Sequence, residues 1–183
     1  MHPSLAVQGT PWERRGADAV ALAVLLSLLA SFWFDAVAAA LFALVALGVT
    51  VARVAALPAR LQMLIGVTLI LAAWASVLDW YRIYPSLDMV VHVAANGLLA
   101  LLAFLTLQRA GVLPDVLSRS GSILVITAFG AGLGVLWEIG EWIGHTLIND
   151  SIGVGYDDTI GDLTCGLAGS LVTAVLYTRR HNG

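Results

Sequence analysis

Apolar residues fill this chain in long blocks, and few polar positions interrupt them. An α-helix needs about 20 mostly apolar residues to cross a bilayer. Six segments meet that length, with ends good to a few residues: 18–34, 36–57, 61–81, 88–108, 121–145 and 158–178. The breaks between them are short. Pro58, Pro85 and Pro114 stand in three of them, and a tight turn around Asp35 separates the first two. Proline stops a helix because it lacks the N–H donor and crowds the preceding turn. The pattern predicts an all-α integral membrane protein. Residues 18–178 form a six-helix transmembrane domain, with an N-terminal tail at 1–17 and a C-terminal tail at 179–183. A secretory signal is the rival reading of the N-terminus, since Arg14 and Arg15 precede an apolar run and Ala38 to Ala40 mimic a cleavage site. The apolar run continues straight into a second segment, which argues against that reading. The first three spans and the last three show no convincing repeat.

Composition excludes the other broad classes. The chain has 183 residues, 60% hydrophobic and 11% charged, with a mean hydropathy of +0.91. A soluble domain is about one quarter charged, and disorder needs low hydrophobicity with high charge. All nine basic residues are Arg and the net charge is −3, so there is no basic footprint for nucleic acid. Cys165 is the single cysteine. An intrachain disulfide and a cysteine-rich zinc site are therefore excluded.

The charges separate along the predicted topology. Counted alternately, one side of the membrane holds Arg14, Arg15, Arg53, Arg60, Arg109, Arg119, Arg179 and Arg180, and the other holds Arg82. These short loops fall under the positive-inside rule. Both termini are thus expected in the cytoplasm, and a missed span would scramble the separation. The acids go the opposite way. Glu13, Asp18 and Asp115 fall inside, whereas Asp35, Asp79, Asp88, Glu138, Glu141, Asp150, Asp157, Asp158 and Asp162 fall outside. Acids contribute little to topology, so this clustering needs another cause.

Spacing suggests one. Asp88, His92 and Asn96 recur at i, i+4, i+8 on one face of the fourth span,. Glu138, Glu141 and His145 share a face of the fifth. Asp158 and Asp162 form an i, i+4 pair opening the sixth. At 1.5 Å per residue, His92 lies about 6 Å below Asp88 and Glu138 about 10 Å below His145. Three helices thus present carboxylates and imidazoles in the outer leaflet. Each ionisable group at the centre of a span costs on the order of 3 kcal/mol and faces the bundle interior or a wet cavity. Arg82 alone cannot balance so many acids, so a bound cation or shared protons are needed.

The metal reading takes His92, Glu138, Glu141, His145, Asp158 and Asp162 as ligands, with Asp88 and Glu141 as catalytic groups. Oxygen and nitrogen donors suit zinc, iron or manganese, and the ligand count is enough for two ions bridged by carboxylates. The Glu-x-x-His pattern of di-iron bundles is matched only in part, and there is no HExxH. His2 and His181 fall in the tails. Each feature also has a plainer structural reading. Asp158 with Thr159, and Asp88 after Ser86, can cap helices, and Asp150 and Asp157 can solvate a loop. His145 can sit at a helix C-terminus for its dipole, and His92 can be a core histidine bonded to Asp88. Glu138 and Glu141 resist this, because the dipole disfavours anions near a helix C-terminus. Together, on one membrane face, the set favours a functional site.

Other features read more simply. Trp74, Trp80, Tyr81, Tyr84, Trp137, Trp142 and Tyr156 form an interfacial aromatic belt, or else a lipid or substrate wall. Gly130 with Gly134, Gly140 with Gly144, and Gly166 with Ser170 have the small-xxx-small spacing that lets spans five and six pack closely. Gly153 and Gly155 make the fifth loop flexible. Cys165 is a small packing residue.

The strings YPSLDMVVH at 84–92, WEIGEW at 137–142 and DDTIGDLTCGLAGS at 157–170 resemble the YjdF-like family of small bacterial inner-membrane proteins. The resemblance covers roughly the C-terminal half. It implies an Asp/His helix, a WE-x-x-EW helix and a D-x-x-x-D helix, and so carries over Asp88, His92, Glu138, Glu141, Asp158 and Asp162. His145 enters on spacing alone. Fold and an inner-membrane location are implied, but no activity.

Three functions compete. The first is a metal-dependent hydrolase acting on a lipid-borne substrate from the outer face, with oxidation as a second chemistry; Glu141 would move the proton. The second is a proton- or cation-coupled transporter, since intramembrane acids mark ion pathways. The lack of an internal repeat and the apolar first three spans argue against it. The third is a non-catalytic membrane assembly subunit that uses the polar cluster to bind a partner.

Overall fold

A computed structural model describes residues 8–150 and 152–181. The described chain is helical throughout: α1 (Pro11–Ser31), α2 (Ala36–Val54), α3 (Ala59–Val77), a single turn α4 (Trp80–Ile83), α5 (Pro85–Arg109), α6 (Arg119–Leu147) and α7 (Tyr156–His181). The five predicted segments from 36 onward correspond to α2, α3, α5, α6 and α7, each within a few residues. All five are long and apolar enough to cross a membrane.

The first segment differs. Helix α1 starts at Pro11, inside the expected tail, because the run Thr10-Pro11-Trp12-Glu13 is a helix start. Thr10 accepts from the Glu13 N–H, the Glu13 carboxylate accepts from the Thr10 N–H, and Pro11 stands where a missing donor costs nothing,. Arg14, Arg15 and Asp18 therefore lie on the helix, and the uncharged stretch 19–31 is short for a span. Helix α3 also stops before the expected 81. Asp79 takes a left-handed conformation (φ 57°), which an L side chain adopts at a cost but Asp tolerates. Pro85 then fixes the start of α5. Asp35 caps α2 through a 2.7 Å bond from the Ala38 N–H, and Ser118 caps α6 through Gly121. Gly111 (φ 72°) ends α5 in the left-handed turn that favours glycine,.

The chain divides into two compact units between Trp80 and Tyr81. In the first, α1, α2 and α3 pack pairwise around Val24, Phe42, Val45, Val49 and Ala73. The Trp74 indole meets Phe34 edge-on and Phe42 at a tilt and donates to Ser27 Oγ at 3.0 Å, tying α3 to α1. At one end of this unit Asp18 pairs with Arg53 at 2.8 Å, and Glu13 pairs with Arg60. In the second unit α5, α6 and α7 pack on one another, with α5 against α7 the most extensive pair.

Burial runs opposite to that of a soluble protein. Ser27, Gln62, Asn96, Asp162 and Ser170 are buried, while Leu22, Leu25, Leu26 and Leu29 of α1, Leu44 and Leu47 of α2 and Leu124 of α6 are exposed. Water would strongly disfavour such a surface; lipid accepts it.

Candidate metal centre

Glycine brings α5 and α7 together. A Cβ on Gly169 would stand 2.7 Å from the Cα and carbonyl carbon of Val93, and one on Gly97 would stand 2.8 Å from the Gly169 oxygen. Both are closer than real Cβ contacts, so the two backbones touch where only glycine fits. Gly130 of α6 likewise leaves the space that Ser170 of α7 fills, as the small-residue spacing predicted. Gly140 faces open space, and Gly144 makes room for Ile152 of the following loop; neither packs helix on helix.

Near the ends where α5 and α7 begin and α6 finishes, this close approach assembles a polar group. His92 sits one turn after Asp88 on α5, and Asp162 projects from α7. His92 Nε2 lies 3.5 Å from Asp88 Oδ1 and 3.6 Å from Asp162 Oδ2, and one donor atom from each residue falls within 4.8 Å of the others. Asp162 is 5% exposed; the His92 and Asp88 side chains are 15% and 26% exposed. The separations decide what the group can do. They exceed the 2.7–3.2 Å of an N–H···O bond. A tetrahedral ion about 2.1 Å from each donor would space those donors about 3.4 Å apart, 1.63 times the bond length. The two His92 separations are those of ion pairs and are also close to this value, so the group could hold a metal ion. Among the described residues they form the one such group.

The other predicted residues are distributed around it. Asp88, read from the sequence as a catalytic group, is part of this trio. Glu138 and Glu141 are half-buried on α6, and Asp158 is exposed in the first turn of α7. These carboxylates lie within electrostatic reach of Asp88 and Asp162, but their oxygens do not join the close trio. Asp158 does not cap α7; the helix begins at Tyr156, and the Thr159 N–H bonds the Gly155 carbonyl. His145 makes a loop contact. Its Nδ1 lies 2.7 Å from the Ile152 carbonyl oxygen and fastens the α6–α7 loop to the helix end. His2 lies outside the described residues.

Sequence reasoning missed Tyr81. It was grouped with the aromatic belt, yet it is partly buried and within electrostatic reach of Asp88, Glu141 and Asp162. Its position seven residues before Asp88, at the last residue of the predicted third span, was the available signal.

No curated protein and no solved structure shows significant similarity to this chain. One family model does, described as "Predicted membrane protein (DUF2238)", and it matches residues 17–183. That bears out the resemblance to the YjdF-like membrane proteins. With nearly its whole length matched, this chain belongs to that family of membrane proteins.

Proposed function

We propose that this chain is a six-helix inner-membrane protein with both termini in the cytoplasm. Asp88, His92 and Asp162 hold one divalent ion at the outer-leaflet end and serve hydrolysis of a lipid-borne substrate. The observation that carries this reading is the convergence of Asp88, His92 and Asp162, whose donor atoms lie within 4.8 Å of one another with His92 Nε2 at 3.5 and 3.6 Å from the two carboxylates. Helix α1 supplies the sixth span in this reading, because its exposed face of Leu22, Leu25, Leu26 and Leu29 needs lipid. One imidazole with two carboxylates suits zinc, iron or manganese. Three protein ligands leave a coordination position open, as catalytic sites do and closed structural sites do not.

An ion there supplies an acidified water and polarisation of a carbonyl or phosphoryl oxygen. The protein supplies the rest. Asp162, buried, is held rigidly by the glycine contact of α5 on α7. Glu141 on α6, within electrostatic reach of Asp88 and Asp162, would accept the proton and pass it to a leaving group. Glu138, Asp158 and Tyr81 line the approach. His145 contributes by fixing the α6–α7 loop. The exposed indoles of Trp137 and Trp142 support a headgroup depth for this end, where a lipid-borne substrate would arrive,.

Elemental analysis of the detergent-purified protein tests the reading, beside His92→Ala and Asp162→Asn variants that stay folded. Stoichiometric zinc, iron or manganese is expected in the parent and absent from both variants. Chelation should then abolish any hydrolysis of lipid substrates, and the same metal should restore it. No metal in the parent, even after supplementation, would overturn the reading. Shared protons would then explain the cluster, which favours proton or cation movement.

A further inference from the structure

Asn96 belongs to the i, i+4, i+8 face of α5, yet the trio above does not use it. It is 7% exposed. Its carboxamide is wedged among glycines. A Cβ on Gly134 of α6 would meet its Nδ2 at 3.0 Å, and one on Gly166 of α7 would meet its Cγ at 3.0 Å. Both neighbouring helices thus give up a side chain where this amide sits, and neither glycine offers a side-chain partner. Among the described residues no hydrogen bond reaches the carboxamide. The amide atoms are not among the sealed polar atoms of the described residues, so a small polar group can reach them, and a hydrogen bond from such a group would complete the site.

Its place in the fold says which group. Asn96 lies one turn beyond His92 on α5, and Gly166 lies one turn beyond Asp162 on α7. The two helices start at the same end of the unit, so the amide forms the next layer under the His92–Asp162 layer, about 6 Å deeper. A bridging oxygen making hydrogen bonds of about 2.9 Å is of a size to fit between successive layers. We propose that Asn96 is a positioning residue of the metal centre, hydrogen-bonding the water or ligand oxygen on the deep side of the ion. The inference rests on the metal reading above and adds a residue that fixes the geometry of the open position.

Cobalt(II) titration of the full-length protein in detergent tests it, following both affinity and the visible d–d absorption. Asn96→Leu keeps the branched shape in the notch and removes the hydrogen bond; Asn96→Ala removes both. Each variant is expected to bind cobalt about tenfold more weakly or worse, as loss of an outer-shell partner does, and to shift the d–d band. Asn96→Ser should recover part of the parent spectrum. Unchanged affinity and spectrum in Asn96→Leu would make Asn96 a packing residue only and overturn the proposal. A parent that binds no cobalt would defeat the metal reading itself, and this inference with it.

Discussion

The contact of α5 on α7 makes a sharp prediction at Gly169, which touches no titratable group. In Gly169→Ala the new methyl would stand 2.7 Å from the Val93 Cα and carbonyl carbon, with the carbonyl oxygen closer still. Ordinary van der Waals contact begins near 3.4 Å and the Val93 oxygen would stand at 2.0 Å, so the helices must separate by about 1.4 Å at this level. Both sides of the clash are backbone, and no rotamer change can relieve it. Overpacking costs typically about 1–3 kcal/mol, and this case belongs at the upper end, about 3 kcal/mol. For a chain of this size that lowers the unfolding midpoint by about 6–12 °C. The displacement also reaches Asp162, two turns up the same helix and about 10 Å away. Metal sites tolerate about 0.2 Å, so cobalt affinity should fall at least tenfold although every ligand is present. Thermal unfolding and cobalt titration of the purified variant check both parts. A midpoint within about 2 °C of the parent would refute the claim that the backbones touch here. A lowered midpoint with unchanged cobalt affinity would refute the coupling of that contact to the site.

Other perturbations separate the roles assigned above. His145→Gln should leave metal content and cobalt affinity unchanged while speeding limited proteolysis near Gly153; loss of metal would make His145 a ligand. Ser27→Ala strands the Trp74 N–H between α1 and α3 and should cost about 1 kcal/mol, read from the unfolding midpoint; no change would show the bond to be idle. Glu13 gives a pH dependence. The Thr10 N–H, and after it Arg60, hold its carboxyl below the ordinary value of 4.5. The ionised form is the bonded one, so its contribution to stability is complete above about pH 4.5 and is lost as the pH falls through the lowered folded value. Glu13→Gln should flatten this part of the acid profile of the unfolding midpoint, and an unaltered profile would assign the acid sensitivity elsewhere.

The helices were legible because a bilayer-length apolar run is a strong signal with few alternatives. Their ends were less so. The start of α1 was marked by the Thr10–Glu13 box, but hydropathy pulled the reading toward residue 18. The end of α3 depends on a left-handed Asp79, and a single chain gives little warning of it. At the site, spacing identified the right faces: Asp88 with His92, and Asp162 on the helix beside them. It could not rank ligands, since distance between helices is a tertiary quantity. Asp162 and Asp158 look equivalent in sequence, yet one is buried beside His92 and the other is exposed. The loop partner of His145 is a backbone carbonyl, which no residue pattern reveals.

The two units hold together by different means, and the difference bears on where the chemistry lies. Lipid tails are as apolar as leucine, so helices gain little by hiding leucine from them; close packing and polar contacts must do the work. The first unit uses interlocked Phe42, Trp74 and valines, with its ion pairs Asp18–Arg53 and Glu13–Arg60 at one end. The second uses glycine, with backbone against backbone at Gly97 and Gly169 and notches at Gly130, Gly134 and Gly166. Such approach is more than simple association requires, because alanine would also allow tight contact. It is what a His92–Asp162 separation of 3.6 Å requires. Short side chains on two neighbouring helices meet at ligand spacing only when the axes come unusually close. The glycines and the polar trio are therefore parts of one arrangement, and a change at either should be felt at the other.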